Sequence, residues 1–259
     1  MFASQPGSFV TRDLTEAIVV AGSALVPRMG WLISAGQSIG LSEATVLWIV
    51  WTVLFAAGSC LVVGIFCRSA AITAWFLHLS AIKSSALLSY GVDNFTSIGL
   101  FYLLLSPLPD HLSLDATWRK RPLKDAQLHG FWRRVLQLHV CVIYFFSGLT
   151  KLLGSGWWNG ESLWRALTRP PFDMVPASLL IHGRNFFVPL GLGICLLEAG
   201  YPIFIWPRRT RPIWLAGIIG VHGAIAALMG LYLFGLIMIV LNVAAFGTDL
   251  FRLRKSEAI

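Results

Sequence analysis

The chain has 259 residues, of which 56% are hydrophobic and only 12% charged, and its mean hydropathy is +0.73. Soluble domains carry about a quarter charged residues, so this composition excludes an ordinary soluble protein. The net charge of +8 could suggest nucleic acid as a partner, but the placement of the basic residues, described below, favours a membrane surface instead.

Apolar stretches recur along the whole chain, and a helix of about 20 apolar residues crosses the hydrocarbon core of a bilayer. The predicted fold is therefore all-α, a polytopic transmembrane helical bundle of about eight spans. The spans are predicted at 14–36, 43–66, 69–90, 94–108, 135–153, 185–206, 212–229 and 231–250. Pro27 and Arg28 interrupt the first span, and Gly230 alone separates the last two, which predicts a tight helical hairpin. We expect residues 1–259 to form a single transmembrane domain with short tails at 1–12 and 251–259.

The basic residues predict the orientation of the spans. If the N-terminus is cytoplasmic, most of the 20 lysines and arginines lie inside. These inner residues are Arg12, Arg68, Arg119, Lys120, Arg121, Lys124, Arg133, Arg134, Arg208, Arg209, Arg211, Arg252, Arg254 and Lys255. The outer loops then hold Arg165, Arg169 and Arg184. Because basic residues flanking spans are retained in the cytoplasm, both termini are predicted there, with membrane lipids, anionic ones above all, as partners and no nucleic acid.

Two connections are long. Residues 109–134 are predicted to form a basic cytoplasmic loop, and residues 154–184 an outer loop. The outer loop contains a short helical pattern from Gly160 to Leu167, which Pro170 and Pro171 stop. With Trp157 just before it, this segment is predicted to lie along the membrane interface.

Lys151 lies near the outer end of the fifth span, and two interpretations are open. Its amine could extend to the lipid headgroups, as lysines at span ends commonly do. Alternatively, helices could surround it with apolar groups, which disfavours the charged form and makes the amine a base near neutral pH.

Other ionisable or polar groups within the spans are also functional candidates, because such groups are costly in a bilayer. Asp93 and Asn94 open the fourth span, where an Asx residue is also an ordinary helix cap. Lys83 lies too deep for its amine to reach the headgroups easily. His139, near the inner end of span five, is more typical of a packed or interfacial histidine.

Glu198 and His222 complete the candidates. Glu198 could handle protons, or it could pair with a basic group such as Arg208 or a histidine of another helix. His222 could be functional or simply hydrogen-bonded across a helix interface. Nothing in the chain has metal-ligand spacing, a phosphate-binding glycine loop or a nucleophile triad, so no metal is expected.

The run from Leu136 to Leu167, LQLHVCVIYFFSGLTKLLGSGWWNGESLWRAL, resembles the HTTM domain, the membrane region shared by vitamin K-dependent γ-glutamyl carboxylase and its bacterial relatives. The most specific part is an aromatic-rich helix followed by Ser-Gly-x-x-Lys-Leu, a short gap, Trp, and a Gly that opens an interfacial helix. Shorter similarities lie at 90–94, at Leu197 and Glu198 with Pro202, and at His222 with the 231–241 stretch. The resemblance therefore extends over about residues 15–250 and implies a multi-pass protein of the bacterial inner membrane.

The resemblance also implies a chemistry. In the carboxylase, a lysine deprotonates reduced vitamin K, O₂ oxidises it, and the strong base so formed takes a proton from a peptide glutamate. The catalytic lysine corresponds to Lys151, with Asp93 and Asn94 in the same outer half of the membrane. The implied cofactor is reduced vitamin K or another quinol, and the residues expected to bind it are Lys83, His139, Tyr144, Trp157, Glu198 and His222.

Two departures limit what the resemblance implies. A functional histidine of the carboxylase falls at Asn94, and no stretch of these 259 residues is expected to correspond to the large luminal region that presents its substrate, so glutamate carboxylation itself is not carried over. The leading hypothesis is a membrane oxidoreductase or carboxylase-like enzyme that uses a quinol or lipid-like cofactor with Lys151 as base, acting on a peptide supplied by a partner. The alternative is a non-catalytic membrane subunit that assists maturation or export of a secreted peptide.

Overall fold

The computed structural model describes residues 27–84, 90–108, 113–119 and 126–247. Within these ranges every regular element is a helix, which confirms the predicted all-α class. The chain divides into two compact units, Met1–His129 and Gly130–Ile259.

The first unit contains five described helices. They are α1 (Met29–Ser38), α2 (Glu43–Val63), α3 (Cys67–Ser84), α4 (Gly91–Leu105) and α5 (Leu114–Arg119). Most of the predicted span at 14–36 lies outside the described residues, as do residues 85–89 of the span at 69–90. In the described part, α1 begins directly after Pro27 and Arg28, where the sequence predicts an interruption.

Apolar residues of three helices form a core in the first unit. Met29 and Ile33 of α1 pack with Val46 and Val50 of α2 and Leu77 of α3. The spacing of four residues within α1 and within α2 places each pair on one face of its helix. This core holds the first three described helices together.

The second unit contains seven described helices. They are α6 (Ala126–Leu153, which begins just before the unit boundary), α7 (Ser155–Trp158), α8 (Glu161–Thr168), α9 (Ala177–His182), α10 (Phe187–Phe204), α11 (Arg211–Met229) and α12 (Tyr232–Asn242). A 3₁₀ turn, Arg184–Phe186, precedes α10, and a π-helical turn, Val243–Gly247, follows α12. Gly230 takes a left-handed conformation with φ of 70° between α11 and α12, which confirms the predicted tight hairpin.

The predicted cytoplasmic loop at 109–134 is wrong at its end. Helix α6 begins at Ala126, so the last nine residues of the predicted loop are helical, although Arg133 and Arg134 interrupt the apolar run there. Arginine has a high helix propensity, and hydropathy alone therefore does not mark where a helix begins.

Four described helices are long and apolar enough to cross a membrane. They are Glu43–Val63, Gln127–Leu153, Arg184–Phe204 and Arg211–Met229, with Gly91–Leu105 and Tyr232–Gly247 as shorter apolar helices. On α2, Trp48, Phe55 and Val62 are 75%, 79% and 89% exposed, which suits lipid and not water. The fold is an all-helical membrane protein; the number of about eight spans stays a prediction.

Candidate functional site

One face of α6 carries polar side chains toward α10. Tyr144, Ser147 and Lys151 are separated by three and four residues, so they lie on one side of the helix. Gly148 lies on the same side, and a Cβ atom added to it would collide with the backbone of Ala199 in α10. The two helices therefore pack backbone against backbone at Gly148, with polar groups before and after this contact.

Lys151 and Glu198 form an ion pair between these helices. Lys151 Nζ donates to Glu198 Oε2 at 2.5 Å and to Ser147 Oγ at 2.6 Å. The exposed fraction is 21% for the lysine side chain and 7% for the glutamate side chain. The ammonium also lies 5.5 Å from the centre of the Trp157 ring, within cation–π range. Glu198 does pair with a basic group, but its partner is Lys151 and not Arg208 or a histidine.

The depth of this pair differs from the depth that the sequence predicts. Lys151 is in the last turn of α6, as expected for a span end. However, Glu198 lies eleven residues after the first residue of α10, which is about 16 Å of helix. A lysine side chain is too short to cover that distance, so the amine lies beside the interior of α10 and away from its N-terminal end.

The segment after α6 runs along the first half of α10. The carbonyl oxygen of Trp157 would be 3.1 Å from a Cβ atom added to Gly191, and Phe187 Cβ would be 3.0 Å from one added to Gly160. From residue 157 to residue 160 the segment therefore runs along α10 toward its N-terminus, from Gly191 to Phe187. Short helices α7 and α8 continue where α6 stops.

Backbone groups at the break between α6 and α7 have hydrogen-bond partners. Gly154 N–H donates to Lys151 O at 3.0 Å, and Trp158 Nε1 donates to Leu152 O at 2.7 Å. In hydrocarbon an unpaired carbonyl would be costly, so these partners make an interrupted helix possible. Interrupted membrane helices commonly lie at binding sites, because the break exposes groups that a continuous helix would use internally.

A buried polar cluster lies next to the ion pair. Tyr144, Tyr201, His222 and Asn242 come from α6, α10, α11 and the end of α12, and each is at most 4% exposed. Asn242 Nδ2 donates to Tyr144 Oη at 2.8 Å and to Met238 O at 2.8 Å, and Tyr201 Oη donates to Asn242 Oδ1 at 2.6 Å. Tyr144 Oη and His222 Nε2 are 2.9 Å apart.

The ion pair and the polar cluster lie next to each other along the interface between α6 and α10. Tyr144 is two turns before Lys151 on α6, and Tyr201 is one turn after Glu198 on α10. The Tyr144 and Tyr201 rings are 4.4 Å apart between centroids. Four helices therefore contribute to one polar region.

The family of this chain follows from a comparison with protein-family models. The model of the HTTM domain matches residues 36–249, which is most of the sequence. This chain belongs to the HTTM domain family. HTTM domains are associated with vitamin K-dependent γ-carboxylase-like membrane proteins. Searches of curated proteins and of solved structures found no match.

Five of the predicted site residues meet in the second unit of this HTTM domain. Tyr144, Lys151, Trp157, Glu198 and His222 belong to the ion pair or the polar cluster, or contact them directly. His139 lies elsewhere: five residues before Tyr144, it is rotated about 140° around α6 from that side chain.

The other predicted site residues lie in the first unit. Asp93 Oδ2 accepts a hydrogen bond from Tyr90 N–H at 3.0 Å, so this carboxylate caps the start of α4. Asn94 and Lys83 are exposed, the latter in the last turn of α3. Roles for these three residues in catalysis or cofactor binding stay predictions.

Sequence reasoning missed three residues of the HTTM site, namely Ser147, Tyr201 and Asn242. A signal for Asn242 was present, because it is a lone carboxamide in an apolar run and such a group needs partners in a membrane. Ser147 lies one turn before Lys151, within reach of its amine. Tyr201 gives no such signal, since a tyrosine near a span end is ordinary.

Proposed function

We propose that this HTTM domain is a membrane-embedded enzyme of the carboxylase-like type, a quinol-dependent oxidoreductase in which Lys151 is the base and Glu198 its partner. The observation that carries the proposal is the 2.5 Å contact between the two side chains inside an apolar helix packing. An ion pair in such surroundings costs more desolvation free energy than an apolar pair, so its presence favours a role in function over one in stability.

The pair can supply a base because it can rearrange one proton. If the proton moves from Lys151 to Glu198, an uncharged amine lies beside an uncharged carboxylic acid. A low-dielectric environment penalises the ionic arrangement and brings the two states closer in free energy. The amine then accepts a proton from an acidic O–H, and Ser147 Oγ remains within 2.6 Å of Nζ to orient it.

The residues around Lys151 fit a quinol. When bound, a quinol such as reduced vitamin K supplies an acidic O–H group and two electrons. Lys151 would accept the proton, and the Trp157 ring, which lies beside the amine, would offer aromatic surface to a planar ligand. The apolar helices around the amine would exclude water from it.

A quinol-consumption assay tests this proposal. Purified protein in lipid nanodiscs is given reduced vitamin K and O₂, and loss of the quinol is followed by absorbance. Lys151→Ala is expected to lower the protein-dependent rate at least about hundredfold, because a general base contributes about 10²–10⁴ to a rate. The matched control is Arg165→Ala, which removes the cation of the exposed pair Arg165–Glu161 in the same unit and is expected to leave the rate unchanged.

The contact between Lys151 and Glu198 also supports a second function, that of a structural subunit. Because Glu198 and Ser147 already satisfy the Lys151 ammonium, the pair could simply fix α6 against α10 in a non-catalytic membrane subunit that assists maturation or export of a peptide. A wild-type protein that consumes no quinol, or a Lys151→Ala variant that folds and consumes it at the wild-type rate, would support this subunit function and contradict the enzyme.

A further inference from the structure

We propose that His222 is a second ligand-binding group of the site, a neutral histidine whose Nδ1–H donates to an acceptor oxygen of a lipid-soluble ligand. The inference deepens the proposed function and rests on it, since the ligand is the one whose O–H proton Lys151 would accept. It is carried by the directions of the hydrogen bonds in the polar cluster.

The orientation of the Asn242 carboxamide is fixed by its neighbours. One of its terminal atoms lies 2.8 Å from the carbonyl oxygen of Met238, and only an N–H can donate there. That atom is therefore Nδ2, and the other is Oδ1, which accepts from Tyr201 Oη. The second hydrogen of Nδ2 points to Tyr144 Oη at 2.8 Å, so the Tyr144 oxygen is an acceptor of this bond.

The protonation of the His222 ring follows from this orientation. Tyr144 has one hydroxyl proton, and within the polar cluster the group left to accept it is His222 Nε2 at 2.9 Å. Nε2 is therefore unprotonated, and a neutral imidazole then carries its proton on Nδ1. The donors run in one direction, from Tyr201 through Asn242 and Tyr144 to His222.

The last donor of this chain of hydrogen bonds has no acceptor. Within the described part of the chain, His222 Nδ1 is buried and lacks a hydrogen-bond partner, while His222 as a whole is 4% exposed. Leaving a buried N–H unpaired is energetically costly, and most buried donors in folded proteins are paired. A bound acceptor would remove this cost, which is the reason for assigning the group to a ligand.

The surroundings of His222 favour a ligand that comes from the bilayer. The Phe234 ring of α12 lies edge-on, 5.7 Å from the imidazole. Its neighbours Leu233 and Leu236 are 64% and 56% exposed on the outer surface of the unit. A quinone or quinol has oxygens on opposite sides of its ring; in the proposed arrangement one oxygen meets Lys151 and another accepts from His222.

The first test reads the tautomer directly. Protein with ¹⁵N-labelled histidine is placed in nanodiscs, and the ring nitrogen resonances of the six histidines are recorded, with His222 assigned by its loss in His222→Asn. A protonated Nδ1 and an unprotonated Nε2 are expected. Tyr144→Phe removes the donor to Nε2 and is expected to shift His222 toward the other tautomer. A protonated Nε2 in the wild-type protein would overturn the proposal.

The second test measures the ligand contact, with vitamin K1 quinone as the probe. Infrared spectra are recorded with quinone that is ¹³C-labelled at one or the other carbonyl. In the wild-type protein, one of the two carbonyls is expected to have a lowered stretching frequency, because it accepts from His222. In His222→Phe this frequency is expected to return to its unbonded value. The affinity of His222→Phe for the quinone should be about three- to tenfold lower than that of the wild-type protein, which corresponds to the loss of one neutral hydrogen bond. His222→Asn keeps an N–H near the Nδ1 position and should retain most of the affinity, whereas His182→Phe, at an exposed histidine, is the matched control.

The outcomes separate this inference from the proposed function. If the quinone binds and Lys151→Ala abolishes quinol consumption, but neither carbonyl responds to His222→Phe, the His222 assignment fails and the base survives. If the carbonyl responds while Lys151→Ala consumes quinol normally, the base fails and the binding group stands. A wild-type protein that binds no quinone contradicts both.

Discussion

At the scale of single residues, the site depends on two charged side chains that have each other as partners. The Lys151–Glu198 pair is largely shielded, whereas Arg165–Glu161 on α8 is 73% and 49% exposed. Burial strengthens the attraction between opposite charges and also raises the cost of leaving one of them alone. The two pairs therefore offer a comparison within one protein between a buried and an exposed ion pair.

Breaking the buried pair on one side is expected to destabilise the protein. Glu198→Leu leaves the Lys151 ammonium without its charge partner and should cost about 3–5 kcal/mol of unfolding free energy. Adding Lys151→Met removes the remaining charge and should recover most of that loss. Glu161→Gln, the control at the exposed pair, should cost at most about 1 kcal/mol. Denaturant titration in mixed micelles measures all four proteins; a double variant as unstable as Glu198→Leu would contradict this account.

The sequence identified both members of the pair as candidates but did not predict their contact. Counting residues from the predicted span ends places Lys151 near the outer surface and Glu198 about two turns from the inner one. That counting assumes that neighbouring spans are continuous helices of similar length. Here α6 stops at Leu153 and α7 and α8 continue beside α10, so residues at different counted depths meet.

At the scale of helices, the contact of α6 with α10 depends on Gly148. A Cβ atom there would collide with the backbone of Ala199, which cannot move aside without shifting α10. Gly148→Ala is therefore expected to cost about 1–3 kcal/mol of stability and to separate Lys151 from Glu198. The matched control on the same helix is Gly130→Ala, where a Cβ atom meets nothing within 4 Å. That control should be neutral or slightly stabilising, because alanine favours helix more than glycine does.

Melting curves of the two glycine variants in nanodiscs provide the measurement. Quinol consumption by Gly148→Ala adds a functional readout, since a separated pair should lose activity even where the protein remains folded. Equal melting temperatures for Gly148→Ala and Gly130→Ala would contradict the close approach of α6 to α10.

Helix positions were predictable wherever a single apolar run defines them. The predicted spans at 43–66 and 212–229 correspond closely to α2 (Glu43–Val63) and α11 (Arg211–Met229). The prediction of helix ends failed where the hydrogen-bonded helix does not coincide with the apolar run. Helix α6 extends into the basic segment before Val135, and the break after Leu153 is made possible by the side chain of Trp158, which no periodicity reveals.

At the scale of the whole molecule, the exposed surface and the helix lengths make this a membrane protein, and its family agrees. The proposed orientation, with both termini in the cytoplasm of a bacterial inner membrane, rests on the distribution of lysine and arginine. In this orientation the N-terminal end of α10 faces outward. A ligand or peptide that enters beside α7 and α8 would then approach Lys151 from the outer side.

Labelling of single cysteines tests this orientation. The four native cysteines are replaced by serine, and Arg165→Cys or Arg209→Cys is introduced; both positions are exposed, on α8 and in the turn before α11. A maleimide that cannot cross membranes should label the position 165 variant in intact spheroplasts and the position 209 variant only in inverted vesicles. The reverse pattern would place the basic residues outside and make the Lys151 site accessible from the cytoplasm. Labelling of both from one side would mean that the chain crosses the bilayer an even number of times between positions 165 and 209. Helix α10, which lies between them, would then not span the bilayer.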